Sequence, residues 1–130
     1  MLISTELQKL GNWLKAETFA DYGFGRVEVT VNDSAQTLAT GTVLGKVTAT
    51  GKYKVCTAAA ADGSQNAAGI VITAKTIAGS TDTKVLTLVK GPAVVAQGGL
   101  VLAADIDTAP EKAAVYAALE ALGIVALASI

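Results

Sequence analysis

Short stretches in which apolar and polar residues alternate fill the middle of the chain. The clearest is Arg-Val-Glu-Val-Thr-Val at 26–31, where the alternation predicts a half-buried strand with its three valines on one face. Similar β-branched stretches, interrupted by glycines, predict further strands. These lie at 38–44, 47–53, 70–74, 84–90 and 93–96, and residues 100–102 are a further short apolar stretch. Turns are predicted at 32–34, 50–51 and 78–82, and a small-residue loop at 57–69.

The spacing of apolar residues changes near residue 108 from the period of a strand to that of a helix. Thr108 and Glu111 have the spacing of a capping box, and Pro110 falls in the first helical turn, where its missing N–H costs little. Gly123 is placed to end the helix in a left-handed conformation. The sequence therefore predicts a helix over about 109–122.

The apolar residues of this helix predict how it packs. Val115, Leu119 and Leu122 form one stripe, and alanines occupy most of the remaining surface. Because the polar stripe is narrow, we expect the helix to be covered on more than one side. The apolar residues 124–130 predict a last strand.

Together these patterns predict a mainly β (α+β) fold. We expect a compact β-sandwich or barrel-like domain of short strands over 26–130, with one C-terminal helix and a flexible N-terminal arm. Residues that interrupt the predicted strands or cap the predicted helix are expected to have structural roles. They are Gly41, Gly45, Gly51, Gly91, Pro92, Thr108, Glu111 and Gly123.

Residues 1–25 are predicted to form the arm, because no single period fits them and most of the chain's aromatic residues lie there. Two interpretations stay open: the arm packs on its own domain, or it docks on a partner, since aromatic residues often anchor interfaces. An extended arm would add a strand to a partner's sheet. The candidate contacts are Leu7, Leu10, Trp13, Leu14, Phe19, Tyr22 and Phe24.

Composition limits the chemistry. The 130 residues suit one domain. Because 52% of the residues are hydrophobic but only 5% aromatic, the core is expected to consist of small aliphatic side chains. Such a core is thin, so partner surfaces are expected to add stability. The net charge is −1, and the basic residues form no visible patch along the sequence, so no nucleic-acid partner is expected. The chain has no histidine, which excludes Ser-His-Asp and Cys-His catalysis and histidine metal sites.

The remaining candidate groups have simpler interpretations. Cys56, the single cysteine, is predicted to be a small buried thiol, and Asp105 and Asp107 to serve a turn and helix cap rather than a metal. No cofactor or metal and no catalytic activity are expected. The start lacks a signal-peptide pattern, and the apolar stretches are too short to span a bilayer, so we expect synthesis in the cytoplasm and no membrane partner.

Several motifs occur in a characteristic order. They are Thr-Gly-Thr-Val-Leu-Gly-Lys-Val-Thr at 40–48, Gly-Lys-Tyr at 51–53, Asp-Gly-Ser-Gln at 62–65, Ala-Gly-Ile-Val at 68–71 and Val-Lys-Gly-Pro-Ala at 89–93. In this order, and with the capped helix and the Gly-Ile-Val that follows it, they resemble the head decoration proteins of tailed bacteriophages, the lambda-D-like family. The resemblance spans about residues 27–130, and the arm shows no matching motif.

The resemblance implies a homotrimer on the outer surface of the virion, made in the host bacterial cytoplasm. Such trimers sit at three-fold and quasi-three-fold positions of the expanded capsid and clamp neighbouring major capsid subunits against internal DNA pressure. In that family the N-terminal segment is mobile in the free trimer and ordered on the shell. Two alternatives stay open: a small β-barrel module that binds a ligand or glycan on a virion surface, and an enzyme whose base is a carboxylate or lysine with a shifted pKa.

Overall fold

The computed structural model describes residues 13–17 and 25–128, which form ten strands, one α-helix (α1) and one 3₁₀ turn. The strands, β1 to β10 in chain order, are Leu14–Glu17, Arg26–Val31, Gln36–Leu38, Val43–Lys46, Tyr53–Val55, Ala67–Val71, Lys75–Ile77, Thr83–Leu88, Ala93–Ala96 and Ile124–Leu127. The 3₁₀ turn is Gln97–Gly99, and α1 is Ala109–Ala121.

Five strands close into a barrel in the order β2-β5-β4-β6-β8. Its longest pair is β2 with β8, an antiparallel ladder that runs from Arg26 opposite Leu88 to Val31 opposite Thr83. Strands β1, β9 and β10 form a separate three-stranded sheet, here called the open sheet, and β3 pairs with β7. The predicted fold class, a mainly β barrel-like domain with one helix near the C-terminal end, is confirmed.

The buried side chains form two clusters. One cluster draws on the barrel strands and on the β3–β7 pair, with residues such as Val31, Leu44 and Val85. The other lies where α1 and the open sheet meet β6, and it includes Leu119 and Ile70. Because nearly all these side chains are aliphatic, stability depends on close fit more than on large aromatic surfaces.

The strand predicted at 47–53 is wrong. The Val47 N–H donates to the Lys52 carbonyl oxygen at 2.8 Å, and the Gly51 N–H donates to the Val47 carbonyl oxygen at 2.8 Å. Gly51 has a φ of +72°, which favours glycine, so residues 48–50 reverse the chain between β4 and β5. Threonine-rich sequence favours strands, but this reversal is needed to pair Lys46 with Tyr53.

The stretch 38–44 was predicted as one strand broken at Gly41, and the break separates two sheets. β3 ends at Leu38 and pairs with β7, whereas β4 begins at Val43 and belongs to the barrel. Gly41 has a φ of +94°, and its N–H donates to the Val71 carbonyl oxygen at 2.8 Å. A residue with this φ cannot continue a strand, so the chain changes direction here.

Other boundaries also differ from the prediction. The end of the predicted loop 57–69 is already strand β6, in which Gly69 lies opposite Leu44 of β4. The predicted strand 70–74 ends at Val71, and the next strand, β7, was missed because three residues show no period. The short apolar stretch 100–102 makes a single bridge, between Thr42 and Val101.

Helix α1 follows the prediction closely, ending one residue earlier. Thr108 is its N-cap, and the reciprocal hydrogen bonds with Glu111 form the predicted capping box. Val115 and Leu119 are buried, so one face packs against the core. The alanine-rich remainder is largely exposed, so within the single chain α1 is covered on one side only, not on several.

Candidate functional site

Cys56 has the environment of a structural thiol. It is 1% exposed, and its Sγ–H donates to the Gln65 carbonyl oxygen at 3.4 Å. Burial raises the pKa of the thiol to about 11, and the negative charge of Asp105 adds to the rise. The thiol is therefore protonated at neutral pH and is a poor nucleophile, which confirms the prediction of a small buried cysteine.

Of the acidic pair before α1, the Asp105 side chain binds a backbone N–H, whereas Asp107 contributes its own N–H to the helix cap. Asp105 Oδ2 accepts from the Ala59 N–H at 3.0 Å, and Glu111 Oε1 accepts from the Asp107 N–H at 3.3 Å. Hydrogen bonds from Thr108 hold the pKa of Glu111 below its ordinary value. These contacts fix a loop and a helix start, and among the described residues no group of three or more potential ligands is placed to hold a metal ion.

The polar side chains of the loop at 62–66 form hydrogen bonds within that loop. Asp62 Oδ1 accepts from the Ser64 hydroxyl at 2.6 Å and from the Ser64 N–H at 3.1 Å. These bonds lower the pKa of Asp62. Ser64 is 1% exposed, so its hydroxyl is engaged in fixing the turn rather than presented to a substrate.

The two aromatic residues outside the arm do not form an open platform for a sugar. Tyr53 is half-buried, and Lys46 Nζ lies 5.9 Å from the centre of its ring. Tyr116 is half-buried beside a shallow groove that also involves Gln97 and Lys112. This arrangement gives little support to the glycan-binding alternative, because sugar sites present accessible ring faces.

Trp13, a predicted partner contact, lies in the core of its own domain. The side chain is 0% exposed and belongs to the cluster that includes α1. Its Nε1–H donates to Thr40 Oγ1 at 3.0 Å, and the Thr40 hydroxyl donates to the Val71 carbonyl oxygen at 3.4 Å. In this conformation Trp13 cannot touch a partner, which for this residue agrees with packing on its own domain.

The neighbouring Leu14 is half-buried and packs against the same cluster. It begins β1, which runs antiparallel to β9 with Leu14 opposite Val95 and Glu17 opposite Ala93. Residues 13–17 of the predicted arm are thus paired with the domain. The other candidate contacts lie outside the described residues; they are Leu7, Leu10, Phe19, Tyr22 and Phe24.

The residues nominated for structural roles lie at turns and close contacts. A Cβ at Gly45 would stand 2.0 Å from the Ser64 carbonyl oxygen, and one at Gly91 would stand 2.0 Å from the Gly123 carbonyl oxygen. The Gly91-Pro92 peptide bond is cis, and Gly123 follows α1 with a φ of +85°.

Sequence reasoning missed the outward-facing apolar residues of the open sheet. Val125 and Leu127 of β10 are 39% and 40% exposed. Because β10 reads Ile-Val-Ala-Leu, no polar residue marks which positions face outward. Within the described part of the chain, no helix is long and apolar enough to cross a bilayer.

These features define a class: a small β-barrel protein with a C-terminal helix, an open sheet carrying the N-terminal strand, and functional groups engaged in structural contacts. Comparison with protein families then identifies the family to which this chain belongs. The chain matches the model of Bacteriophage lambda head decoration protein D over residues 3–124, and it belongs to that family. A search of curated proteins found no match. The matched range begins at residue 3, so it includes the segment in which the sequence showed no family motif. Membership supports a structural role in decorating the phage capsid.

Proposed function

We propose that this chain forms a homotrimer that binds the outer surface of the expanded phage capsid at three-fold and quasi-three-fold sites. There it contacts neighbouring major capsid subunits and stabilises the shell against internal DNA pressure. The observation that carries the proposal is the family match, which covers nearly the whole chain. The trimer, the three-fold sites and the stabilisation against pressure are supported by the resemblance and by the surfaces of α1 and the N-terminal segment.

The exposed side of α1 supports assembly with further copies. Ala113, Ala114 and Ala117 are exposed on the single chain, and their small side chains allow another element to approach closely. A core of aliphatic side chains also gains from neighbouring surfaces. We therefore place copy-to-copy contacts, at least in part, on this side of the helix.

The N-terminal segment supports binding to the shell. Residues 1–12 join the domain at Trp13, whose buried indole fixes the point of departure. In the proposal, Leu7 and Leu10 contact the capsid, as do Phe19, Tyr22 and Phe24, while Trp13 and Leu14 anchor the segment. Extended segments add to a partner's sheet through backbone hydrogen bonds, which need little sequence specificity.

Several weak contacts give strong binding in such an assembly. Apolar burial stabilises by about 25 cal/mol per Å², from which the cost of association is subtracted. A trimer presents one arm per copy, so binding of the first arm raises the effective concentration of the others. This multivalency holds the protein on the shell even if one arm alone binds weakly.

Deletion of residues 1–12 removes Leu7 and Leu10 and is expected to weaken binding to expanded capsids while leaving the trimer intact. The reason is that the truncated chain keeps Trp13 and β1, which complete the core, and loses only the segment before them. Binding is measured by co-sedimentation with undecorated expanded capsids. Light scattering should give about three times the mass of the respective chain for both proteins, the full chain being 13.0 kDa.

Three results would contradict different parts of the proposal. If the truncated protein decorates capsids as well as the full chain, the arm is not the main contact. If the full chain has the mass of a single copy at high concentration, the trimer is wrong. A full chain that ignores expanded capsids altogether would reject the decoration role itself.

A further inference from the structure

Asp62 and Gly63 form the single Asp-Gly dipeptide of the chain. In such a dipeptide the backbone nitrogen of glycine can attack the side-chain carboxyl carbon of aspartate, because glycine has no side chain to hinder the approach. The nitrogen gives up its proton and the carboxyl group loses its hydroxyl, so one water molecule leaves as a five-membered succinimide closes. Water then opens the ring at either carbonyl, which gives aspartate again or isoaspartate, in which the main chain runs through the side-chain carboxyl carbon.

The structure requires glycine at position 63. Gly63 has a φ of +106°, and a Cβ there would stand 2.2 Å from Thr48 Oγ1 and 2.8 Å from the Lys46 carbonyl oxygen. A residue with a side chain is therefore excluded at this position. The reactive nitrogen cannot be shielded by a side chain of its own, so any protection has to come from its neighbours.

Hydrogen bonds engage both reacting groups. The Gly63 N–H donates to Gln65 Oε1 at 2.8 Å. This bond engages the proton that the nitrogen must lose, and an amide oxygen is too weak a base to take it. On the other side, Asp62 Oδ1 accepts from the Ser64 hydroxyl at 2.6 Å and from the Ser64 N–H at 3.1 Å, which fixes the orientation of the carboxyl group. Ring closure requires both groups to leave these partners.

The negative charge of Asp62 adds to the protection. Hydrogen bonds from Ser64 hold the pKa of this carboxyl below its ordinary value, and the Lys54 ammonium, 3.7 Å from Oδ2, acts in the same direction. Ring closure starts from the neutral acid, whose hydroxyl leaves as water, whereas a carboxylate has no such leaving group. At neutral pH the reactive form of Asp62 is therefore rare.

These contacts give the loop a chemical role. We infer that Asp62-Gly63 is a latent modification site, which Ser64 and Gln65 keep as aspartate in the folded protein and which converts to isoaspartate when their hydrogen bonds are lost. Asp62 is exposed, so the water that opens the ring has access to it. The inference concerns the chemistry of the chain and does not depend on capsid binding. In a structural protein that is not replaced after a particle is assembled, such protection preserves the copies already in place.

Conversion would damage the barrel where β4 lies against this loop. The Thr48 N–H donates to the Asp62 carbonyl oxygen at 2.9 Å, and the Ser64 backbone lies so close to Gly45 that no Cβ fits between them. Isoaspartate adds one carbon to the main chain between residues 62 and 63, and the former backbone carbonyl becomes part of a side group. The loop therefore loses its bond to Thr48 or moves away from Gly45. We expect the isomerised protein to unfold at a lower urea concentration than the intact one.

The test compares rates of isomerisation in wild type, in Gln65→Ala and in the matched control Asn66→Ala. Both replaced side chains are exposed, but it is the Gln65 side chain that accepts from the Gly63 N–H. The proteins are incubated at neutral pH and physiological temperature, and isoaspartate at position 62 is quantified by peptide mapping. The isomer separates chromatographically at unchanged mass, whereas deamidation of Asn66 raises the mass. Wild-type chain in concentrated guanidinium chloride gives the unprotected rate.

The expected rates follow from the need for local opening. We expect isomerisation to be about tenfold or more slower in folded wild type than in the unfolded chain. Gln65→Ala should raise the rate in the folded protein about threefold or more, and Asn66→Ala should stay within about twofold of wild type. Gln65→Glu keeps an acceptor oxygen for the Gly63 N–H and should retain the slow rate. Urea unfolding curves establish the folded fraction of each protein.

Four results would overturn the inference. Equal rates in folded and unfolded wild type would show that the loop gives no protection. A wild-type rate in Gln65→Ala would show that its hydrogen bond does not matter. A faster rate matched by a larger unfolded fraction would assign the effect to global stability. An unfolded chain that forms no isoaspartate at position 62 would show that the dipeptide is not reactive.

Discussion

Replacement of Trp13 by alanine is expected to lower the free energy of unfolding by about 3–5 kcal/mol. The side chain is 0% exposed and lies among residues from α1 and the open sheet, so its loss leaves a cavity at their junction. The Nε1–H bond to Thr40 is lost as well. Urea unfolding followed by circular dichroism measures the change, at one protein concentration because assembly links stability to concentration.

Trp13→Phe is the matched control for the alanine variant. Phenylalanine keeps much of the ring volume and loses the hydrogen bond, so we expect a smaller cost of about 1–3 kcal/mol. An alanine variant as stable as wild type would show that the indole is not part of the core. The same result would restore Trp13 as a candidate contact for the capsid.

Gly45→Ala is the second large effect, about 3 kcal/mol or more of destabilisation. Gly45 is buried in β4, and a Cβ there would stand 2.0 Å from the Ser64 carbonyl oxygen and 2.5 Å from the Ser64 carbonyl carbon. Both are backbone atoms, so no side-chain rotation relieves the conflict. The β4–β6 pairing, which shifts register beside Gly45, must move instead.

Gly98→Ala provides the control, because no atom lies within 4 Å of a Cβ built there. We expect its unfolding free energy to stay within about 0.5 kcal/mol of wild type. Urea midpoints of the two variants are compared with the wild-type value. Equal midpoints for the two alanine variants would refute the packing argument at Gly45.

Local signals in the sequence were sufficient for some elements. The alternation at 26–31 gives strand β2 with the predicted bounds, and its Val29 and Val31 are buried as expected. Val27, predicted on the same face, is 45% exposed and belongs to neither buried cluster. The capping box at Thr108 gives the start of α1, because a helix N-terminus is fixed by residues three positions apart.

Other elements depend on pairings that are remote in the chain. The turn at 50–51 was predicted, but residues 47–49 have strand composition, and only the pairing of β4 with β5 shows that the chain already reverses there. In β6, Gly69 leaves room for Thr87 of β8, since a Cβ at Gly69 would stand 2.7 Å from Thr87 Cγ2, and no local pattern reveals this contact. Barrel closure likewise joins β2 to β8, more than fifty residues away.

The candidate site was predicted in part. Aromatic residues nominated the arm, but their sequence does not reveal whether a ring faces its own core, as Trp13 does. Polar residues usually mark the solvent side of a strand, and β10 contains none. The outward positions of Val125 and Leu127 therefore follow only from the register with β9.

The burial of Trp13 also gives the protein a built-in optical label. It is the single tryptophan of the chain, and its side chain is fully buried where the N-terminal segment joins the domain. Its intrinsic fluorescence therefore reports on this junction alone, with blue-shifted emission as long as the indole stays in place. Tryptophan emission recorded while the protein binds the shell reveals, without any dye, whether β1 stays paired with β9 or dissociates from it.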